Sequence, residues 1–158
     1  MIQAITGMSD AALKRELDRM VSAEIVYREG DPPQALYTFK HALIQDAAYD
    51  SLLNESRQVN HLNIANILES HFPETKESTP EVLAHHFTKA GQTKQGIHYW
   101  MQAGQRAQGK SANNEAISHF SDGLKLVSKV SEEQEREKLE MEFGLCVINA
   151  NKAQQRVF

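Results

Sequence analysis

Seven histidines, one cysteine and two closely spaced aspartates are the residues of this 158-residue chain whose types could do chemistry. His85 and His86 are adjacent. On a helix neighbouring side chains diverge by about 100°, so the pair cannot form the i,i+4 arrangement that clasps a metal. Glu81 and His85 have that spacing, but two side chains do not define a metal site, and packing, surface or capping roles account for them more simply. His41, His61, His71, His98 and His119 show neither an HExxH pattern nor zinc-finger spacing. Asp46 and Asp50 could act as general acid and base in principle, although a solvated helix face accounts for their spacing more simply. Cys146 lies in the apolar run Leu145-Cys146-Val147-Ile148 and reads as a small buried hydrophobe without a His/Asp constellation to activate it.

Phosphate chemistry is also without a motif. No GxxxxGK[ST] loop occurs, and the glycines are dispersed at positions 7, 30, 91, 96, 104, 109, 123 and 144. The expectation is therefore a chain with no catalytic centre, no metal and no cofactor. Hydrophobic residues make up 41% and charged residues 24%, with only 4 prolines, which suits a folded protein. The formal charge is −4, divided into −5 over residues 1–78 and +1 over 79–158, so neither half carries the positive field of a dedicated nucleic-acid binder. No apolar run approaches the ~20 residues that span a bilayer, and the start lacks the charged and apolar regions of a signal peptide. A cytoplasmic location without membrane association is the expectation.

The elements that would position these residues follow from periodicity. Ser9 can cap a helix over 10–23, with Ala12, Leu13, Leu17, Met20 and Val21 on one face. Two β-prone runs, 25–28 and 36–39, flank Gly30, Pro32 and Pro33 and predict a small antiparallel hairpin. Helical spacing returns after Lys40, with Ala42, Leu43, Ala47, Leu52 and Leu53 as the expected buried side. A further helix buries Val59, Leu62, Ile64, Ala65, Ile67 and Leu68 and stops at Pro73. Residues 1–73 are compatible with a winged-helix variant that serves as a connector. The polar stretch 74–79 reads as a linker. Thr79 and Pro80 then open a helix that Gly91 ends, and helices follow over 93–109, 111–130 and 132–155.

The strongest local pattern lies in 97–130. Trp100, Ala103, Gly104 and Ala107, followed by Ala116, Phe120 and Gly123, resemble the tetratricopeptide repeat, a 34-residue pair of antiparallel helices. Ala107 stands where the family usually has tyrosine, and Gly123 where it usually has alanine. A bulky anchor fills the groove between helices while small residues let backbones approach. Gly104 costs about 1 kcal/mol in helix propensity, which close packing would have to offset. Leu83, Phe87 and Ala90 repeat the spacing of Ala116, Phe120 and Gly123, and Phe143-Gly144-Leu145 is expected to open another helix pair. An irregular helical bundle would yield similar apolar stripes. The fold class expected is mainly α: a winged-helix-like segment with a β-hairpin, then a tetratricopeptide-like stack over 80–158 that is incomplete at its C-terminal end.

A longer series of motifs carries a second resemblance. Phe39-Lys40-His41-Ala42-Leu43-Ile44-Gln45-Asp46-Ala47-Ala48-Tyr49, with Ser51-Leu52-Leu53, is similar to the segment after the nucleotide-binding core in bacterial STAND-type signalling ATPases, a group that includes proteins named adenylate/guanylate cyclases or transcriptional regulators. Pro80-Glu81-Val82-Leu83-Ala84-His85-His86-Phe87, Tyr99-Trp100-Met101-Gln102-Ala103-Gly104 and Ser111-Ala112-Asn113-Asn114-Glu115-Ala116-Ile117 extend it in order. The resemblance implies a non-catalytic regulatory and protein-interaction segment of a larger signal-transduction protein. Its implied partners are other proteins, other domains of the parent chain, or further copies in a homo-oligomer. It transfers neither ATPase nor cyclase activity. A DNA-binding winged-helix fragment is the competing expectation, weakened because Asp46 and Asp50 follow Lys40 and His41 while Arg28 and Arg57 are sparse.

Overall fold

A computed structural model describes residues 2–155. Among them, nine helices and two strands follow one another: α1 (Ile2–Thr6), α2 (Asp10–Ser22), β1 (Val26–Glu29), β2 (Leu36–Phe39), α3 (Ala42–Asp50), α4 (Asn54–His71), α5 (Pro73–Ser78), α6 (Pro80–Lys89), α7 (Thr93–Gly109), α8 (Asn113–Val127) and α9 (Glu133–Gln155). The chain is mainly α, with one antiparallel hairpin ahead of a helical stack. It divides into two compact units, Met1–Arg57 and Gln58–Phe158.

In the first unit, the Ser9 hydroxyl accepts the Ala12 amide at 3.4 Å and starts α2, as its residue type predicts. The hairpin pairs Val26 with Phe39 and Glu29 with Leu36. Val26 is its buried residue, while Tyr27, Arg28 and Glu29 are exposed. Lys40 meets Glu24 at 2.7 Å and Arg28 meets Asp18 at 3.2 Å, joining the hairpin's two sides to the end of α2. The expected buried face of α3 is corrected here. Leu43 is 81% exposed, Leu53 76% and Leu52 39%. Helical spacing gathers apolar residues on one side, but burial needs a facing element, and among the described residues of this unit none covers Leu43 or Leu53.

The second unit holds two apolar cores. One gathers Ala65 and Leu68 of α4 with Leu83, Ala84 and Phe87 of α6 and Tyr99 of α7. The other gathers Ile97 and Ala107 of α7, Ala116, Phe120, Leu126 and Val127 of α8, and Phe143 and Ala150 of α9. The first core also corrects the expected boundaries. Residues 74–79 do not separate the units; the division falls between Arg57 and Gln58, within α4, because the later part of α4 is buried with α6. The segment read as a linker is largely the short helix α5, started by Pro73 with Glu74 in its first turn. On α4 the buried line is His61, Ala65 and Leu68, whereas Val59, expected inside, is 56% exposed.

Helices α6 to α9 each pack against the next in sequence across short connections, the pattern expected of antiparallel neighbours. The first two turns share one hydrogen-bond design. Gln92 donates to the Phe87 carbonyl at 2.9 Å, and Ala112 donates to the Ala107 carbonyl at 3.0 Å, each reaching back five residues. The residue before each donor is left-handed: Gly91 at φ 74° and Ser111 at φ 58°. Glycine takes that conformation freely; serine takes it at a cost. Phe143-Gly144-Leu145, expected to open a new helix pair, lies instead in the interior of α9.

Candidate functional site

The seven residues singled out by repeat spacing fall on α7 and α8. Ala103, Gly104 and Ala107 are buried on α7; Ala116, Phe120 and Gly123 are buried on α8. A Cβ added to Gly104 would run into the Phe120 ring, and one added to Gly123 would run into Phe143 and come within 3.1 Å of the Trp100 Cβ. The two glycines thus let α7 approach α8 and α8 approach α9. Gly96 belongs to the same set: its added Cβ would lie 2.8 Å from Leu126.

Trp100 is partly buried and packs against both cores. Its indole Nε1 donates to the Thr88 hydroxyl at 3.0 Å, and that hydroxyl donates to the Ala84 carbonyl at 2.7 Å. Its ring also stacks on His119, with centroids 5.5 Å apart. From α7 this one side chain therefore touches α6 and α8 through different chemistry, which makes it a positioning residue.

These supports hold the opposite face of α7 between two grooves. The larger, about 1000 Å³, lies between α7 and the α4–α5 corner and is lined by Glu69, Lys76, Tyr99, Gln102, Gln105 and Arg106 among others. The smaller, about 250 Å³, lies between α7 and α9, with Met101, Leu139 and Glu142 in its wall. Lys94 and His98 border both. Tyr99 forms the floor of the first: its ring stacks on Phe87 at 5.6 Å, and its hydroxyl donates to Glu69 at 2.5 Å. Burial, aided by the Glu69 carboxylate, pushes the Tyr99 phenol well above its ordinary range. Lys76 approaches Glu69 at 3.7 Å, and Lys94 is drawn toward Glu135 at 3.2 Å. Arg106 and the amides of Gln95, Gln102 and Gln105 present donors and acceptors along the rest of the face.

The other chemical candidates are placed as follows. Asp50 accepts an Arg57 hydrogen bond at 3.3 Å, and Asp46 is exposed on the same helix. The Cys146 thiol is partly buried against the second core, and burial, reinforced by Glu142, raises its pKa, which suits an inert thiol. His85 and His86 meet His61 of α4, with ring centroids 5.9 and 5.1 Å from it. The two Nδ1 atoms of His61 and His86 are 2.8 Å apart. Among the described residues, no group of three or more His, Cys, Asp or Glu side chains could hold a metal ion. No helix among them is long and apolar enough to cross a membrane.

Sequence reading set His61 and His98 aside as histidines without a metal pattern and gave no role to Gln95, Gln105 or Arg106. His61 had a usable signal, since it lies four residues before Ala65 and seven before Leu68 on the buried line of α4. Gln95, Gln102 and Gln105 had none, because polar residues on a helix look alike whether they face open water or a groove.

A curated protein of Rhizobium meliloti (strain 1021), described as uncharacterized protein R02095, is 26% identical over 131 residues. The match covers 83% of this chain and 13% of that protein's length, so the chain corresponds to a small part of it. No family model matches the chain, and no solved structure matches it.

Proposed function

We propose that this chain is a non-catalytic regulatory and protein-interaction segment of a larger signal-transduction ATPase or cyclase-like protein, and that α7 is its recognition helix. The observation that carries the reading is the pair of grooves on one face of α7, both bordered by Lys94 and His98. A segment laid along that face would find amide donors and acceptors at Gln102 and Gln105, a cation at Arg106 and apolar contact at Met101 and Leu139. Grooves that combine apolar floor with a few fixed polar groups suit a peptide ligand. The tetratricopeptide-like spacing of Trp100, Gly104, Ala116 and Phe120 supports a scaffold whose buried residues shape a surface. The match to a small part of a much longer relative agrees with a segment that works beside other domains.

DNA binding is the weaker reading. In the first unit Arg28, Lys40 and Arg57 each lie against a carboxylate, of Asp18, Glu24 and Asp50 respectively, which lowers the positive field a phosphate backbone would meet.

The test is selection of a random dodecapeptide phage library on the full chain, followed by titration of the enriched synthetic peptides. Chemical-shift changes are expected at Gln95, His98, Gln102 and Gln105, with at least tenfold weaker binding to Gln102→Ala/Arg106→Ala. Enrichment of no peptide, or shifts confined to other helices, would overturn the proposal.

A further inference from the structure

His61, His85 and His86 form a cluster that the proposed recognition surface does not use. His61 projects from α4 and is 8% exposed, although its side chain is polar. His86 is half-buried on α6 and His85 stands toward solvent beside it. All three ring centroids lie within 5.9 Å of one another. The 2.8 Å Nδ1–Nδ1 contact between His61 and His86 requires one nitrogen to donate and the other to accept. Two imidazolium rings have only donors, so this contact cannot survive protonation of both.

We propose that this histidine cluster is an acid-sensitive latch between α4 and α6, which holds the part of α4 from residue 58 onward in the stack while the rings are neutral and releases it when they become charged. The titratable and charged groups acting on the rings include the rings themselves and Lys89, which follows His85 by one helical turn. The three rings and Lys89 are each cationic when protonated, so each proton added to a ring repels the others. Burial, then neighbouring histidines, lower His86 to about 4; burial and positive neighbours also depress His61 and His85. These depressed groups contribute stability above the ordinary histidine value of 6.5 and lose it as pH falls toward the folded-state value of about 4 for His86.

Release of α4 would also carry away Glu69, the partner of Tyr99 in the floor of the larger groove. That consequence rests on the groove being a recognition surface; the latch does not, and it is tested without any peptide. Hydrogen-exchange protection factors, measured on the full chain between pH 7.5 and 4.5, separate α4 from α7 and α8. Protection of residues 61–68 is expected to fall at least tenfold more than that of 116–127. His86→Gln, which keeps hydrogen-bonding capacity without the titration, is expected to reduce that difference by at least threefold. If this variant does not fold at pH 7.5, His85→Gln serves the same comparison. The latch is refuted if α4 protection is unchanged, if α4 and α8 lose it together, or if the folded variant repeats the wild-type profile.

Discussion

The Phe120 ring on α8 occupies the space into which a Cβ on Gly104 of α7 would project. Helix propensity alone would favour alanine at position 104, so this glycine reflects the closeness of two backbones. The same relationship recurs one interface later, where Phe143 of α9 fills the space beside Gly123. Each phenylalanine is fully buried, so neither can swing aside without opening the core.

Gly104→Ala and Gly123→Ala are therefore expected to destabilise the chain by about 1–3 kcal/mol each through overpacking. Gly144→Ala is the matched control. It sits inside α9 with nothing within 4 Å of an added Cβ and should stabilise by up to about 1 kcal/mol. Urea denaturation of the three variants checks the opposite signs. Destabilisation by all three would remove the steric explanation.

Trp100→Ala should cost about 3–5 kcal/mol, the range for truncating a large packed aromatic. Trp100→Phe keeps much of the apolar contact and loses the indole donor to Thr88, so it should cost less. Thermal melts of both variants should rank in that order. A near-native melt for Trp100→Ala would show that the ring does not join the cores.

Ser111 holds φ 58° in a turn whose counterpart carries Gly91 at φ 74°. Ser111→Gly should gain from relief of strain and lose from a freer unfolded chain, for a net stabilisation of about 0.5 kcal/mol. Comparison of denaturation midpoints at equal slope measures it. A lower midpoint would mean that the serine side chain contributes more than its backbone costs.

Tyr99 should ionise well above the ordinary range of a tyrosine phenol as pH rises. Its folded phenol is shifted upward by burial and by Glu69, so the folded state binds the proton more tightly than the unfolded state. Stability from this group is present below the ordinary value of 10 and declines as pH rises above it. Alkaline absorbance titration alongside Tyr99→Phe should show one late component missing. A wild-type titration without that late component would contradict the buried pair.

Much of the architecture could be read from local signals. Ser9, Pro73, Pro80 and Gly91 mark element ends because caps, proline and left-handed glycine act on their immediate neighbours. The hairpin was legible from its two β-prone runs and the loop residues between them. What periodicity could not supply was the identity of the facing surface. Leu43 and Leu53 have helical spacing yet remain exposed, while His61, polar by type, is buried beside Ala65. The division of the chain inside α4 was hidden for a related reason, since polar residues 74–79 look like a boundary but a domain ends where burial ends. The candidate site was half legible: the residues that shape the scaffold have distinctive sizes, whereas the amides that line its groove do not.

Trp100 has a consequence for how the second unit would yield under load. Pulling on α9 strains the core around Phe120 and Phe143; pulling on α4 strains the one around Phe87 and Tyr99. The indole touches both and is also pinned to Thr88, so it acts as a mechanical splice between two links of a short chain. With the splice intact, tension entering at one end is shared by the other before either core tears. Without it, the links would rupture one after another, each at its own force.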